Sequence, residues 1–565
     1  MIERTSNVPT GWDEEADVVV CGSGGAALSC AVVSAIEGCS VTVLEKADLV
    51  GGTTAVSGGG VWIPNNHCMP AVGTSDSREE SMAYLQALVG DTGEQAMLDA
   101  LVDEGPKAVR YLEDKGGFFW RAYPAVGGTS DYRPWLPGEK PGSRSMDCGW
   151  FELESLGVSV KQLRKRGTST ADKFDMYTQR RHAAAPDGTH DTHLAPGQSD
   201  AVTGTVIGGA AFAGRLFKAA LDNGAKVHVS TPAKALVVDG GRVIGVEAEK
   251  DGKPYFVRAR HGVFMGTGGY SHNPELLKAW MQRPIEYTCE VETSTGDGHL
   301  MGLAIGAQMA HLGDAWFMPA IPPEDWSVFG HSRGERALPH TLIINRRGKR
   351  FVNEPLNYYD FGDAWGTKQD GPRNLPAWLI FDSQAVAKYR TFDGFAKTRP
   401  GTRGFAMADS PDELASKLGI EPASNLRETL ERFSAYAAKG EDPDFGRGQN
   451  PWDIRWGDPN NQPNASLGTV EKGPFYAVEM RPGALGTKGG LKINARAEVI
   501  SALNGKPIPG LYAGGNCASS PTPGAYGGPG GTLGACLTFG YLAGLELGAA
   551  ARAAKTGASA LARAK

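Results

Sequence analysis

The run Gly22-Ser-Gly24-Gly-Ala-Ala27, with Glu45 23 positions after Gly22, is a spacing that can do chemistry. Glycines let the backbone approach a pyrophosphate, the amides of a following helix start point at it, and a carboxylate reaches a ribose hydroxyl. A second loop, Gly51-Gly-Thr-Thr-Ala-Val-Ser-Gly-Gly-Gly60, follows at once and suits a long ribityl–diphosphate chain. Further clusters stand at Gly266–Gly269, Gly514–Gly515 and Gly524–Gly534. No second G-x-G-x-x-G follows a strand, so no separate nicotinamide site is expected. The eight cysteines form neither a C-x-x-C pair nor a zinc spacing, so no metal site is expected.

The elements that must hold these loops are legible. Ala16–Cys21 is a short β-branched run, read as a buried parallel strand. A helical pattern follows the glycine turn and ends at Gly38, and Ser40–Leu44 is a second strand closing on Glu45. Ala225–Val238 holds two more strand-like runs. Val263–Gly269 is a strand ending in a glycine turn, and Gly510–Asn516 repeats that pattern. A nucleotide domain interrupted by a long insertion and completed by the C-terminus is a flavoprotein arrangement. The fold expected is α/β, a Rossmann-like FAD-binding domain with an inserted α+β catalytic domain that caps the substrate. The boundaries expected are 1–285 and 486–565 for the FAD-binding domain and 286–485 for the insertion, which includes the amphipathic segments Ser410–Leu418 and Asn425–Ala438.

Composition narrows the class. Glycine, at 77 of 565 residues, is about twice average usage, yet no G-X-Y period exists. A net charge of −6 offers no basic field for a nucleic-acid backbone. The N-terminus is acidic and polar, unlike a secretory signal, and Gly534–Ala554, interrupted by Glu546 and Arg552, reads as a buried helix. With cysteines in apolar surroundings, a cytoplasmic protein is expected. The segment 150–205 is polar and loop-rich, and its Lys161, Arg164, Lys165 and Arg166 read as a solvated face. Peripheral contact with a membrane that delivers a lipid substrate is the alternative reading.

Several motifs then resemble one family. They are Gly51-Gly-Thr-Thr54, Ser57-Gly-Gly-Gly-Val-Trp-Ile-Pro-Asn-Asn66, Thr295-Gly-Asp-Gly298, Arg350-Phe-Val-Asn-Glu354, Gly486-Thr-Lys-Gly-Gly490 and Tyr526-Gly-Gly-Pro-Gly-Gly-Thr-Leu-Gly534. Together they resemble the flavin-dependent 3-ketosteroid Δ1-dehydrogenases, within the fumarate reductase/succinate dehydrogenase flavoprotein superfamily. Thr295–Gly298 and Arg350–Glu354 mark the flavin scaffold alone. The tyrosines discriminate. Fumarate reductases resemble Asn353–Tyr359 but carry their catalytic arginine where Tyr358 stands; a tyrosine suits a neutral substrate that must lose a proton.

That resemblance implies an FAD enzyme, with cofactor held non-covalently, that desaturates the C1–C2 bond of a 3-ketosteroid in steroid degradation. Tyr358 would take the C2 proton, with Tyr359 next to it as the other register. Tyr132, in Thr129-Ser-Asp-Tyr132, would assist that base. The Tyr526 hydroxyl and Gly530 amide would grip the C3 carbonyl as an oxyanion hole. The C1 hydride would pass to flavin N5, and the electrons to a quinone-like acceptor. Cofactor contacts would fall on Gly22, Ser23, Gly24, Gly25, Ala26, Ala27, Glu45, Lys46, Gly52, Thr53, Thr54, Ser57, Gly58, Gly59, Ala233, Thr267, Gly268, Gly269, Asp297, Gly515, Asn516 and Leu533. Trp316 and Tyr476 read equally as core or as substrate wall, and His299 as structural. A 3-ketosteroid Δ4-(5α)-dehydrogenase, a fumarate- or urocanate-reductase-like enzyme and an electron-transfer module are the rival readings.

Overall fold

Strand β1 (Glu14–Cys21) is buried from Ala16 to Cys21, which is why Val18–Cys21 is continuously apolar rather than alternating. The computed structural model to which it belongs describes residues 8–123, 130–165, 202–321, 334–366 and 374–563. After β1 come helix α1 (Gly25–Ile36), β2 (Val41–Leu44), β3 (Lys226–His228), β4 (Ala233–Asp239), β5 (Arg242–Lys250) and β6 (Lys253–Met265). β1 pairs in parallel with β2 and β6, and β2 with β3. Antiparallel β4 and β5 extend from β6.

A second sheet is built from β7 (Tyr287–Thr288), β8 (Ala315–Ala320), β9 (Thr341–Asn345), β10 (Ala377–Asp382), β11 (Phe405–Ala408) and β12 (Phe475–Thr487). The 13-residue β12 is its spine, pairing with β7, β8, β10 and β11, while β9 pairs with β10. Helix α2 (Tyr358–Ala364) lies between β9 and β10 in the chain. The chain then returns to the first sheet through β13 (Glu498–Ile500) and β14 (Pro507–Ala513), β14 pairing in parallel with β6. Residues from both ends of the chain thus complete one sheet.

Helix α3 (Gly531–Arg563) closes the first core. By length and composition Gly531–Thr556 could cross a membrane, but its apolar window is 67% buried inside the protein. Small residues bring it onto α1: a Cβ at Gly544 would stand 2.6 Å from the Cβ of Val33. Val18, Val19, Val20, Leu28 and Val33 are fully buried between these layers, each contributing about 1.5–3 kcal/mol.

Local expectations compare closely with the elements. Ser410 caps the helix Pro411–Lys417 through the Glu413 amide, and Asn425–Ala438 lies in the helix Ser424–Lys439. The basic cluster differs. Arg166 and residues 167–201 lie outside the described residues, but Lys165 is only 2% exposed and donates to the Val160 carbonyl. The segment Leu153–Gln162 folds into 3₁₀ turns that bury Leu153, Leu156 and Val160. Lys165 therefore does not belong to a solvated face. Its charge was visible in the sequence, whereas the apolar turns that cover it are set by packing.

Candidate active site

The first glycine turn, Glu45 and the Gly51–Ala55 turn form one cradle. Gly24 is the extended N-cap of α1, and the Gly25 amide donates to Thr54 Oγ1 at 2.8 Å. Ser23 donates to Glu45 at 2.5 Å and accepts from the Gly51 amide at 2.9 Å. Burial pushes the Glu45 carboxyl above its ordinary range, opposed by that hydroxyl, the Ala47 amide and the charge of Arg164. The Thr231 amide donates to the Glu45 carbonyl, two residues before Ala233 opens β4. Ser57 donates to the Thr54 carbonyl at 2.7 Å, and its own carbonyl accepts from Gly209.

Distant segments complete the path. Lys46 forms an ion pair with Asp297 at 2.9 Å and donates to Thr295 Oγ1 at 2.6 Å. Thr53 Oγ1 accepts from the Val291 amide at 3.1 Å. Gly269 donates to the buried carboxylate of Glu290, which also receives the Asn516 side-chain amide at 2.9 Å. Thr267 donates to Cys517, and Leu533 of α3 packs toward Gly25. A small cavity of about 20 Å³ opens beside Gly515 and Asn516, with Trp316, Lys488 and Thr532 in its wall. Amides and hydroxyls along a path, with a carboxylate at one end, fit an extended dinucleotide.

The tyrosines meet at one place. The Tyr132 ring lies edge-on to Tyr526 at 5.0 Å and to Tyr358 at 5.8 Å between centroids. Tyr132 is fixed from both sides: its amide donates to the Gly527 carbonyl at 3.0 Å, and its carbonyl accepts from Asn357 at 3.2 Å. Asn357 is also the N-cap of α2, whose first residue is Tyr358. Arg133 clamps Asp360 in α2 through two bonds, at 2.6 and 3.0 Å. Tyr132, Tyr358 and Tyr526 are thereby tied together by backbone and salt bridge as well as by ring contact.

Tyr526 is 5% exposed, shares a hydrogen bond of 3.2 Å with Thr532, and packs on Trp316 at 4.7 Å. Burial pushes its hydroxyl up to about 12, opposed by Thr532 and the Gly530 amide, so it stays a donor at neutral pH. Gly530 has φ +99°, and a Cβ there would lie 2.4 Å from the Gly60 carbonyl oxygen. Its carbonyl accepts from the Trp62 amide, while the Trp62 indole holds Asp131 beside Tyr132.

Tyr359 points elsewhere. Its hydroxyl donates to Asp314 at 2.7 Å, and burial first, then the Asp314 charge, raise it well above the ordinary phenol range. Trp316 joins the tyrosine cluster, whereas Tyr476 stacks on Phe381 in the core of the second sheet. His299 is fully buried on the Gly489 carbonyl, and burial lowers it to about 4. Arg350 is bound to Glu354 and Asp442.

Three charged residues have surroundings that the sequence did not assign. Lys488 is buried, 3.5 Å from Asp314, and donates to the Ala525 carbonyl just before Tyr526. Arg164 bears on Glu45 and has a buried Nε with no partner among the described residues. Arg336 is buried at the start of α2. The Gly486–Gly490 motif pointed toward Lys488, and Arg164 belonged to the cluster read as a solvated face; nothing local marks Arg336.

Comparison with known proteins agrees with this geometry. The family described as "FAD binding domain" matches residues 17–533. A 3-oxosteroid 1-dehydrogenase of Mycolicibacterium smegmatis is 36% identical, over 96% of this chain and 99% of its own length. A 4-oxocyclohexanecarboxylate 2-dehydrogenase of Sinomonas cyclohexanicum is 35% identical, over 96% of this chain and 95% of its own. Among solved structures, the 3-ketosteroid Δ1-dehydrogenase of Sterolibacterium denitrificans, in complex with 1,4-androstadiene-3,17-dione, superposes with a TM-score of 0.85. It is 30% identical, over 95% of this chain and all of that one.

Proposed function

This chain belongs to the FAD-binding family that includes the 3-oxosteroid 1-dehydrogenases, and we propose that it introduces the C1–C2 double bond into 3-ketosteroids. The observation that carries the reading is the meeting of Tyr132, Tyr358 and Tyr526 next to the loop that ends in Gly530. Residues 286–485 would cap the substrate over the nucleotide domain.

FAD, held without a covalent bond, supplies the acceptor for the hydride that leaves C1. The pyrophosphate would lie along Gly22–Ala27 and Thr53–Thr54, and the ribose at Glu45. Tyr526 and the Gly530 amide bind the C3 oxygen and stabilise the negative charge that develops there when C2 loses its proton. Tyr358 receives that proton. Tyr132, edge-on to the Tyr358 ring, would assist the base. Tyr132 and Tyr526 are 3% and 5% exposed and Tyr358 is half-buried, which would limit water at the enolate-like state. A quinone-like molecule takes the electrons afterwards.

Cations beside the cluster support a neutral ring. Arg133 is bound to Asp360, Arg283 to Asp363 and Lys488 to Asp314. A substrate carboxylate would have to break a pair to reach any of these three cations, and Arg336 is held by the Glu354 and Leu356 carbonyls. The test is incubation of the purified holoenzyme with a 4-ene-3-ketosteroid and an artificial acceptor, with the new double bond located by NMR. A C1–C2 double bond supports the reading; a C4–C5 double bond from a 5α-substrate, or no turnover of any 3-ketosteroid, overturns it.

A further inference from the structure

A tyrosine is a poor base at neutral pH, because its phenol ordinarily loses its proton near pH 10. Something must favour the phenolate, and the start of α2 holds a charge that the mechanism above does not use. Arg336 is 1% exposed. Its Nη1 donates to the Glu354 carbonyl and, at 3.1 Å, to the Leu356 carbonyl, in the segment that leads into Tyr358. The guanidinium lies 4.8 Å from the ring centroid of Phe361, one turn further along α2. Its Nε has no hydrogen-bond partner among the described residues.

Among the described residues its bonds go to peptide carbonyls, not to a carboxylate. Glu354, whose carbonyl it holds, has its own carboxylate shared by Arg350 at 2.7 Å and Arg447 at 3.2 Å. Asp442 is taken by Arg350. Charges on α2 are also matched, Asp360 by Arg133 and Asp363 by Arg283. Burial pulls the guanidinium down to about 10; the charges that favour its cationic form are Tyr358, then Glu335 and Glu354, and Arg447 opposes it. Described groups that face Tyr358 from other elements include Tyr132 and Tyr526. A cation buried without a carboxylate partner is costly unless negative charge forms beside it.

We propose that Arg336 is a positioning residue for proton abstraction: anchored at the first turn of α2, its charge stabilises the anionic form of the Tyr358 oxygen. The proposal rests on Tyr358 being the base. The C2–H bond breaks, its proton goes to the Tyr358 oxygen, and Arg336 keeps its own proton throughout. Arg336 acts through Tyr358 and touches neither steroid nor cofactor.

The test is the pH dependence of C2 hydrogen exchange with deuterated water, followed in the FAD-loaded enzyme without an electron acceptor. Tyr358→Phe, Arg336→Gln and Arg336→Lys are compared with the parent protein. Glutamine can still donate to the Glu354 and Leu356 carbonyls but carries no charge; lysine keeps the charge. Exchange rises with pH as the base loses its proton. In Arg336→Gln this rising limb is expected to move up by about one pH unit or more, with roughly tenfold slower exchange below it. Arg336→Lys should restore the parental limb while steroid binding is unchanged in both. A limb in Arg336→Gln that coincides with the parent overturns the proposal even if exchange is slower at every pH. Should Arg336→Gln not fold, the lysine variant decides alone: a limb displaced by a full unit despite the retained charge overturns it, and a parental limb supports it. Exchange that survives in Tyr358→Phe overturns the reading of Tyr358 as base, a failure distinguishable from that of Arg336.

Discussion

The Tyr359 hydroxyl donates to the Asp314 carboxylate at 2.7 Å, and this one bond separates two tyrosines that are adjacent in the chain. Asp314 also accepts from the Gly524 amide at 3.0 Å and lies 3.5 Å from Lys488, whose ammonium holds the Ala525 carbonyl. Tyr359 is thus part of the brace behind the Tyr526 loop. Tyr358, one residue earlier, lies with the Tyr132 ring.

Tyr358→Phe and Tyr359→Phe should therefore fail in different ways. Tyr358→Phe is expected to lose C2 exchange while keeping its melting temperature and its steroid-induced change in the flavin spectrum. Tyr359→Phe leaves a buried Asp314 oxygen with one donor fewer and should lose about 1–3 kcal/mol of stability with exchange retained. Deuterium exchange and thermal melts on the same preparations check both.

For the ketone grip, Tyr526→Phe is expected to lower turnover by ~10²–10³ and weaken ketone binding, because one oxyanion donor is gone. Gly530→Ala should be worse, since its Cβ would meet the Gly60 carbonyl at 2.4 Å in a backbone conformation that L residues rarely adopt. Steady-state rates and spectral titrations with a 3-ketosteroid measure the two effects. Parental turnover in Tyr526→Phe would remove that residue from the role.

Lys488 gives a pH signature. Burial lowers its ammonium from 10.5 to about 8, only partly offset by Asp314. Between those values the unfolded chain binds more protons at this site than the folded one, so this group's contribution to stability rises as pH increases through that window. The charged form is the costly one, present in full below about 8. Urea unfolding at several pH values from 7 to 10 should show a rise, on the order of 1–3 kcal/mol, that Lys488→Met lacks. Equal slopes in the two proteins would refute the assignment.

Acid denaturation should release all the yellow colour from the polypeptide as free FAD. Glu45→Ala removes the carboxylate bound by Ser23 and the Ala47 amide, and with it the expected ribose contact. FAD affinity, measured by quenching of flavin fluorescence on reconstitution, is expected to fall roughly 10- to 100-fold.

Substrate class is open to direct competition. Flat, neutral 3-ketosteroids should be turned over, whereas succinate, fumarate and 4-oxocyclohexanecarboxylate should be poor substrates or inert, because Arg133, Arg283 and Lys488 already have carboxylate partners. Turnover of 4-oxocyclohexanecarboxylate matching that of the steroid would show that one of these cations, or Arg336, takes up a substrate carboxylate.

The nucleotide half of the molecule was legible in the sequence because its determinants are local. An apolar run, a glycine turn, a helix of small residues and a second strand ending in Glu45 lie within some 30 residues, and each states its own backbone requirement. The resemblance likewise brought Tyr132, Tyr358, Tyr526 and Gly530 forward together. The partner of each charge was not legible. Arg336, Lys488 and Arg164 look like ordinary basic residues, and Lys165 like part of a solvated patch, until remote segments cover them. Asp314 meets Tyr359 and Lys488 only because β8 pairs with β12 and α2 packs alongside. Backbone propensity is a property of neighbours in the chain, but desolvation and ion pairing are properties of neighbours in space, so the partners of these charges were decided by the tertiary structure.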